Sequence, residues 1–178
     1  MPKNVFLTGR ERTFHCDDVI VSKTDLKGRI TYANRVFLDV AGYTEKEVLG
    51  QPHSLIRHPE MPRCVFKLLW STLEAGQEIF AYVVNRCKNG DHYWVYAHVT
   101  PSFGASGKII SYHSNRRVPD MAIVNEHIVP LYKMLLEEEK RHASRKDGML
   151  ASEQMVLGLL EQHGIAYDEF VATLGKAA

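Results

Sequence analysis

Two groups of residues in this sequence have the chemistry to hold a ligand. The first is the string Arg57-His58-Pro59-Glu60-Met61-Pro62, which stands directly before an amphipathic stretch. Arg57 and His58 can both meet a phosphate, and a helix N-terminus favours anions as well. The plainer alternative is a surface arginine and a structural histidine. The second group lies on two β-prone runs. Alternation puts Ala81, Val83 and Asn85 on one face and Phe80, Tyr82 and Val84 on the other. In the next run it separates Tyr93, Val95, Ala97 and Val99 from His92, Trp94, Tyr96 and His98. The face with the small residues is the one that leaves room for a planar ring, and Asn85 is on it. An inward amide there needs a partner, because a buried hydrogen bond left unmade costs about 1–3 kcal/mol. Either a ligand edge with donor and acceptor atoms or the backbone across the hairpin can supply it. Ser114 points inward on the last run by the same alternation. Phe66 and Trp70, a turn apart before these strands, either line a ring pocket or pack the core.

Other chemistries find less support. No nucleophile–base pair or phosphate-cradling loop is visible, so a binding module is expected rather than an enzyme. Cys16, Cys64 and Cys87 are three in number and widely spaced, with no CxxC pair and no plausible metal cluster with the nine histidines. Reduced thiols in a cytoplasm are the expectation. A net charge of +1 without a basic stripe gives no sign of nucleic acid. The 178 residues are 45% hydrophobic and 24% charged, as in a soluble globular protein. Residues 1–18 lack the apolar stretch of a signal peptide, and no run is long enough to cross a bilayer. A soluble protein without membrane insertion is expected.

The elements that must position these residues follow from turns and caps. Residues 1–18 form a polar leader with a short helical piece expected around 6–12. Residues 19–24 and 29–33 form a hairpin turning at Leu26-Lys27-Gly28. Asn34 is a good N-cap for a helix ended by Gly42. Thr44 with Glu47 has the capping-box pattern, and Gly50 and Pro52 then break the chain. Residues 53–62 are irregular with one short helical turn. Residues 61–74 form an amphipathic helix with Val65, Leu68, Leu69 and Leu73 at helical spacing. Three strands follow at 79–88, 92–102 and 108–116, the first two joined by Asn89-Gly90, the strongest short hairpin signal. Asp120 caps a long helix to about residue 143, kinked or restarted at Pro130. A second helix is expected over 148–162 and a last short one over 167–174. The organisation is a leader (1–18), a domain of strands and helices (19–118) and a C-terminal helical extension (119–178).

This order of elements is similar to the PAS arrangement, and the residues narrow it. Thr24-Asp25-Leu26, the run from Gly28 to Asn34, and Gly42-Tyr43-Thr44 with Gly50 resemble the front half of a PAS domain. Residues 57–62, Phe66, Trp70, Asn85-Arg86 and the run from Lys88 to Val95 resemble the PAS module of bacterial aerotaxis receptors. The fold class implied is α+β: a five-stranded antiparallel sheet with short helices and one long helix on one face, plus C-terminal helices. That family binds FAD noncovalently and reports its redox state. Its edge carbonyl and ring N–H would suit Asn85. The cofactor-binding candidates are Asn34, Arg57, His58, Glu60, Phe66, Trp70, Asn85 and Ser114. Glu60 stands where the family has Asp, and Ile79 where it has a tryptophan associated with the flavin. Heme is an alternative, with His58 or His113 as axial ligand. A light-driven cysteine adduct is not expected, since residues 53–58 occupy the place of the asparagine-cysteine-arginine motif it needs. Aerotaxis receptors continue into a membrane anchor and a methyl-accepting domain. Neither is expected here, so the output is assigned to a signalling partner in chemotaxis, motility or related signalling.

Phe80, Tyr82, Trp94, Tyr96 and His98 form an aromatic patch on the other side of the sheet. A patch of that kind marks an interface. The leader, the helix after Asp120 or a second copy could cover it. A homodimer through this face and its flanking helices is expected, with self-coverage by the chain's own helices as the alternative.

Overall fold

The computed structural model describes residues 6–174. Strands β1 (Ile20–Thr24) and β2 (Ile30–Ala33) form the first hairpin, and its turn closes at Gly28 with φ +71°. That conformation is cheap only for glycine. Helices α1 (Arg35–Ala41) and α2 (Glu45–Val48), a 3₁₀ turn at His53–Ile56 and α3 (Arg63–Glu74) come next. Strands β3 (Ile79–Arg86), β4 (His92–Phe103) and β5 (Ile109–Arg117) complete an antiparallel sheet in the order β2-β1-β5-β4-β3.

β4 is buried at every second residue from Tyr93 to Val99, so the alternation expected from sequence sets its inner face. The register places Asn85 opposite Tyr93, Ala81 opposite Ala97, and Ser22 opposite Ser114. Ile20, Phe37, Val48, Ile56, Ala81, Tyr93 and Val95 belong to one buried core between the inner face and the helices. α3 begins two residues later than the sequence expectation, because Pro62 stays extended at its N-cap.

The leader departs from expectation. Residues 6–12 are irregular rather than helical, and Glu11 bridges His92 in parallel. Their backbone is used by the β3–β4 hairpin: Thr8 donates to Gly90 at 3.0 Å, His92 to Arg10 at 2.9 Å and Arg12 to His92 at 2.7 Å. Gly90 makes the approach feasible, since a Cβ there would lie 2.7 Å from the Phe6 carbonyl.

The helix after Asp120 is not continuous. It runs as α4 (Met121–Ile123), a π turn at Val124–Ile128 and α5 (Val129–Arg141). The wide turn, in which Val129 N–H reaches the Val124 carbonyl, sits directly before Pro130. It accommodates a residue that has no N–H and would clash in a regular helix. α6 (Arg145–His163) starts three residues earlier than expected, because Ser144 caps it, and α7 (Tyr167–Thr173) follows the left-handed Gly164. No helix among the described residues is long and apolar enough to cross a membrane.

The outer face of the sheet is covered by these helices. Val124, Ile128, Tyr132 and Leu135 are buried in the same core as Tyr82 and Val84. Tyr132 donates its hydroxyl to the Tyr82 carbonyl, and its ring lies 6.1 Å from that of Trp94. The homodimer expected through this face therefore meets a surface already occupied within the chain. The helix after Asp120 carries apolar residues at helical spacing that bury Tyr82 and pack on Trp94, as the self-coverage alternative has it, while Phe80, Trp94, Tyr96 and His98 stay partly exposed.

Candidate ligand-binding cavity

Between the inner face and α3 lies a cavity of about 480 Å³, within the range of small-molecule sites. Its walls come from β1 (Ser22, Thr24), α3 (Phe66, Leu69, Trp70, Leu73), β3 and β4 (Val83, Asn85, Ala97, Val99) and β5 (Tyr112, Ser114, Arg116). The 3₁₀ segment adds His53 and Ser54, and Met149 reaches in from α6. Small inner-face residues leave the space, as strand alternation requires. The Trp70 ring lies edge-on to Tyr112 at 5.4 Å. A Cβ on Gly28 would come within 3.2 Å of that ring, so glycine at this turn also lets Trp70 pack close.

Five of the eight sequence candidates line this cavity: Arg57, Phe66, Trp70, Asn85 and Ser114. The backbone of Arg57 forms an antiparallel bridge with Asn85, which brings these two together. Arg57 stacks its guanidinium 4.4 Å from the Phe66 ring and donates to the Met61 carbonyl at 2.9 Å. Burial lowers its pKa, with Glu139 acting in the opposite direction. Asn85 is 3% exposed, and its Nδ2 has no partner among the described residues. The backbone alternative for this amide nitrogen is therefore not used.

Asn34, His58 and Glu60 lie outside the cavity lining. Asn34 is consumed by structure: Oδ1 accepts from Val21 and Phe37 at 3.0 Å each, and Nδ2 donates to the Val19 carbonyl at 2.8 Å. These bonds tie the start of α1 to β1 and the residue before it. His58 is buried against His92, with ring centroids 5.6 Å apart, and its Nδ1 accepts from the Glu60 N–H at 3.3 Å. Burial pushes its pKa down. Glu60 is exposed, 3.8 Å from His58. Ile79 is buried with Leu69, Leu73, Val99 and Tyr112 and is also outside the lining. His113, the other histidine considered for heme, does line the cavity and bonds Asn115 Oδ1 at 3.2 Å.

Sequence reasoning passed over the polar cluster of the inner wall. Arg116 is 3% exposed and lines the cavity. Its Nη2 donates to Ser22 Oγ and, at 2.8 Å, to His53 Nε2. Loss of water lowers the His53 pKa to about 3, with Arg116 adding to the effect, so the imidazole is neutral and Nε2 can accept. The alternation that points Ser114 inward puts Arg116, two residues on, on the same face. Lys27, Arg63 and Lys67 are further cations in the lining, and among the described residues no Asp or Glu belongs to it.

None of the cysteines lines the cavity. Cys16 is exposed, Cys64 is buried toward α6, and Cys87 donates to the Val40 carbonyl. Burial raises both inner thiols to about 11, which keeps them protonated.

The helix that carries Phe66 and Trp70 is held from a distance. Glu139 of α5 accepts the backbone N–H groups of Arg63 and Cys64 at 2.6 and 3.2 Å. Lys67 pairs with Glu153 of α6. The C-terminal helices thus reach from the outer face of the sheet to the wall of the cavity.

Comparison with known proteins agrees with this architecture. A sequence family described as the PAS fold matches residues 30–116. The aerotaxis receptor of Escherichia coli (strain K12) is 43% identical over 136 residues, covering 76% of this chain and 26% of the receptor. The nitrogen fixation regulatory protein of Klebsiella pneumoniae is 28% identical over 119 residues, 67% of this chain and 24% of that protein. The chain spans about a quarter of the length of these curated relatives. The dark structure of the blue-light photoreceptor Aureochrome1 LOV superposes with a TM-score of 0.53 at 25% identity, covering 62% of this chain and 86% of that one. Sheet order, cavity and sequence likeness converge: residues 30–116 belong to the PAS domain family, and the aerotaxis receptor is among the relatives of the chain.

Proposed function

We propose that the cavity binds a flavin, FAD, and that the chain is a redox or oxygen sensor acting through a protein partner in chemotaxis, motility or related signalling. The observation that carries this reading is Asn85. A buried amide nitrogen without a partner among the described residues stands in a cavity bounded by small residues and the rings of Phe66, Trp70 and Tyr112. Asn85 can present both a donor and an acceptor to the polar edge of a flavin ring. Phe66, Trp70 and Tyr112 supply apolar walls, and Ser114 an additional hydroxyl. Arg57, Arg63, Lys67 and Lys27 offer charge for the diphosphate. When bound, the flavin would supply reversible uptake of electrons and protons.

The route outward follows contacts described above. A change in hydrogen bonding at Asn85 or in packing at Trp70 acts on α3, whose first turn rests on Glu139 and whose side rests on Glu153. A shift of α3 is then felt by α5 and α6, where a partner can read it. Cytoplasmic placement belongs to the same reading.

The test is an absorbance spectrum of freshly purified protein, followed by chromatography of whatever denaturation releases. Flavin bands that disappear in Asn85→Ser are expected. Protein that neither retains flavin nor takes up added FAD would sink the reading. A sharp Soret band would replace it with heme. Partner binding indifferent to Asn85→Ser and to redox state would favour a ligand-free or metabolite-binding adaptor.

A further inference from the structure

Arg116 is a buried charge without a counter-charge among the described residues. Its hydrogen bonds go to two neutral groups, Ser22 and His53, and both use Nη2. Nη1 has no partner among the described residues. The Phe37 ring lies 5.5 Å from the guanidinium carbon. Tyr93 is the nearby group that favours the charged form, but its buried hydroxyl also has no partner, and burial raises its pKa. A charge buried in this way is costly unless something pairs with it. An arginine also stays protonated under ordinary conditions, so it cannot escape by losing a proton.

We infer that Arg116, with Ser22 and His53, is an anion-recognition site in the cavity wall, and that the ligand places negative charge against it. The three residues come from β5, β1 and the 3₁₀ turn and all line the cavity. Ser22 and His53 fix the guanidinium through Nη2, which leaves Nη1 for the ligand. The assignment of that anion to a flavin rests on the proposed function. Two sources share the chemistry: a phosphate oxygen, or the ring once reduced. A ring that has taken two electrons from dithionite and one proton from water carries one negative charge.

The test uses the full chain and Arg116→Met. First, melting is compared without ligand. If the arginine is kept for an anion, the variant melts no lower than the unaltered protein. A variant that melts lower or fails to fold gives Arg116 a structural role and overturns the inference. Second, FAD and riboflavin are titrated, and the midpoint potential is measured. A phosphate source weakens FAD at least tenfold and leaves riboflavin unchanged. A ring source leaves oxidised riboflavin unchanged and lowers the potential by about 30 mV or more, the equivalent of tenfold for two electrons. Both affinities and the potential unchanged in a folded variant would overturn the inference. If the unaltered chain takes up neither flavin, the flavin reading fails by itself, and the ligand-free melting comparison still decides the role of Arg116.

Discussion

Glu139 Oε1 accepts the backbone N–H of Arg63 at 2.6 Å, across 76 positions of sequence. It also receives the N–H of Cys64 and the hydroxyl of Ser152. Pro62 at the N-cap makes no side-chain cap hydrogen bond, so α3 begins on a borrowed carboxylate. A negative charge there also suits the positive end of the helix dipole.

Glu139→Ala should therefore destabilise the fold by about 1 kcal/mol, the usual cost of a lost cap. Urea unfolding measures it. Hydrogen exchange should quicken in the first turn of α3 more than in β4. Glu139→Gln keeps an acceptor and should fall between the two. Equal exchange in all three proteins would deny the link between α3 and α5.

Two glycines in α6 should respond with opposite signs. A Cβ on Gly148 would lie 2.3 Å from the Glu139 carbonyl oxygen, a backbone atom that cannot swing away. Gly158 has nothing within 4 Å of its Cβ position. Gly158→Ala should stabilise by about 0.5–1 kcal/mol through helix propensity alone. Gly148→Ala should destabilise despite the same propensity gain, because α6 must move off α5. Melting temperatures of the two variants decide this, and a rise in both would contradict the close packing.

The sheet and its inner face were legible because strand alternation is local and strict. It placed Asn85, Val83 and Ala97 correctly from residue identity alone, and the same rule reaches Arg116. What hid Arg116 was its charge, since arginine on a strand is expected to face water. His58 and Asn34 show a different limit. Their types suit a ligand, yet hydrogen bonds engage both ends of the Asn34 amide and packing buries His58 elsewhere. Glu139 lies in a charged run that looks solvated in sequence. Only the fold brings it to α3. The leader misled because its hydrogen bonds go to the β3–β4 hairpin, about eighty residues away.

Asn85 gives a prediction in which stability and binding part ways. Its Nδ2 is unpartnered, so the ligand-free protein carries the cost of a buried donor. Asn85→Val should leave ligand-free stability unchanged or raise it. FAD affinity should fall about tenfold, the equivalent of one hydrogen bond of about 1.4 kcal/mol. Thermal melts with and without FAD measure both. A large loss of ligand-free stability would show that the amide is structural.

The acid side of the stability profile should depend on histidine before it depends on carboxylates. The His53 pKa falls from 6.5 to about 3 on folding, and that of His58 is also lowered, in both cases mainly through burial. The unfolded chain then binds more protons than the folded one below pH 6.5, so stability is present above that value and is lost as pH falls toward 3. The exposed Glu47, lowered from 4.5 to about 2, begins to contribute only below pH 4.5. Between pH 6.5 and about 5 the slope therefore belongs to the histidines. His53→Gln, which keeps an acceptor for Arg116, should flatten that part of the curve and leave the share of His58. Urea midpoints collected at half-unit intervals of pH measure the slope. An unchanged slope in the variant would mean that the His53 imidazole is solvated and able to take up its proton in the folded state.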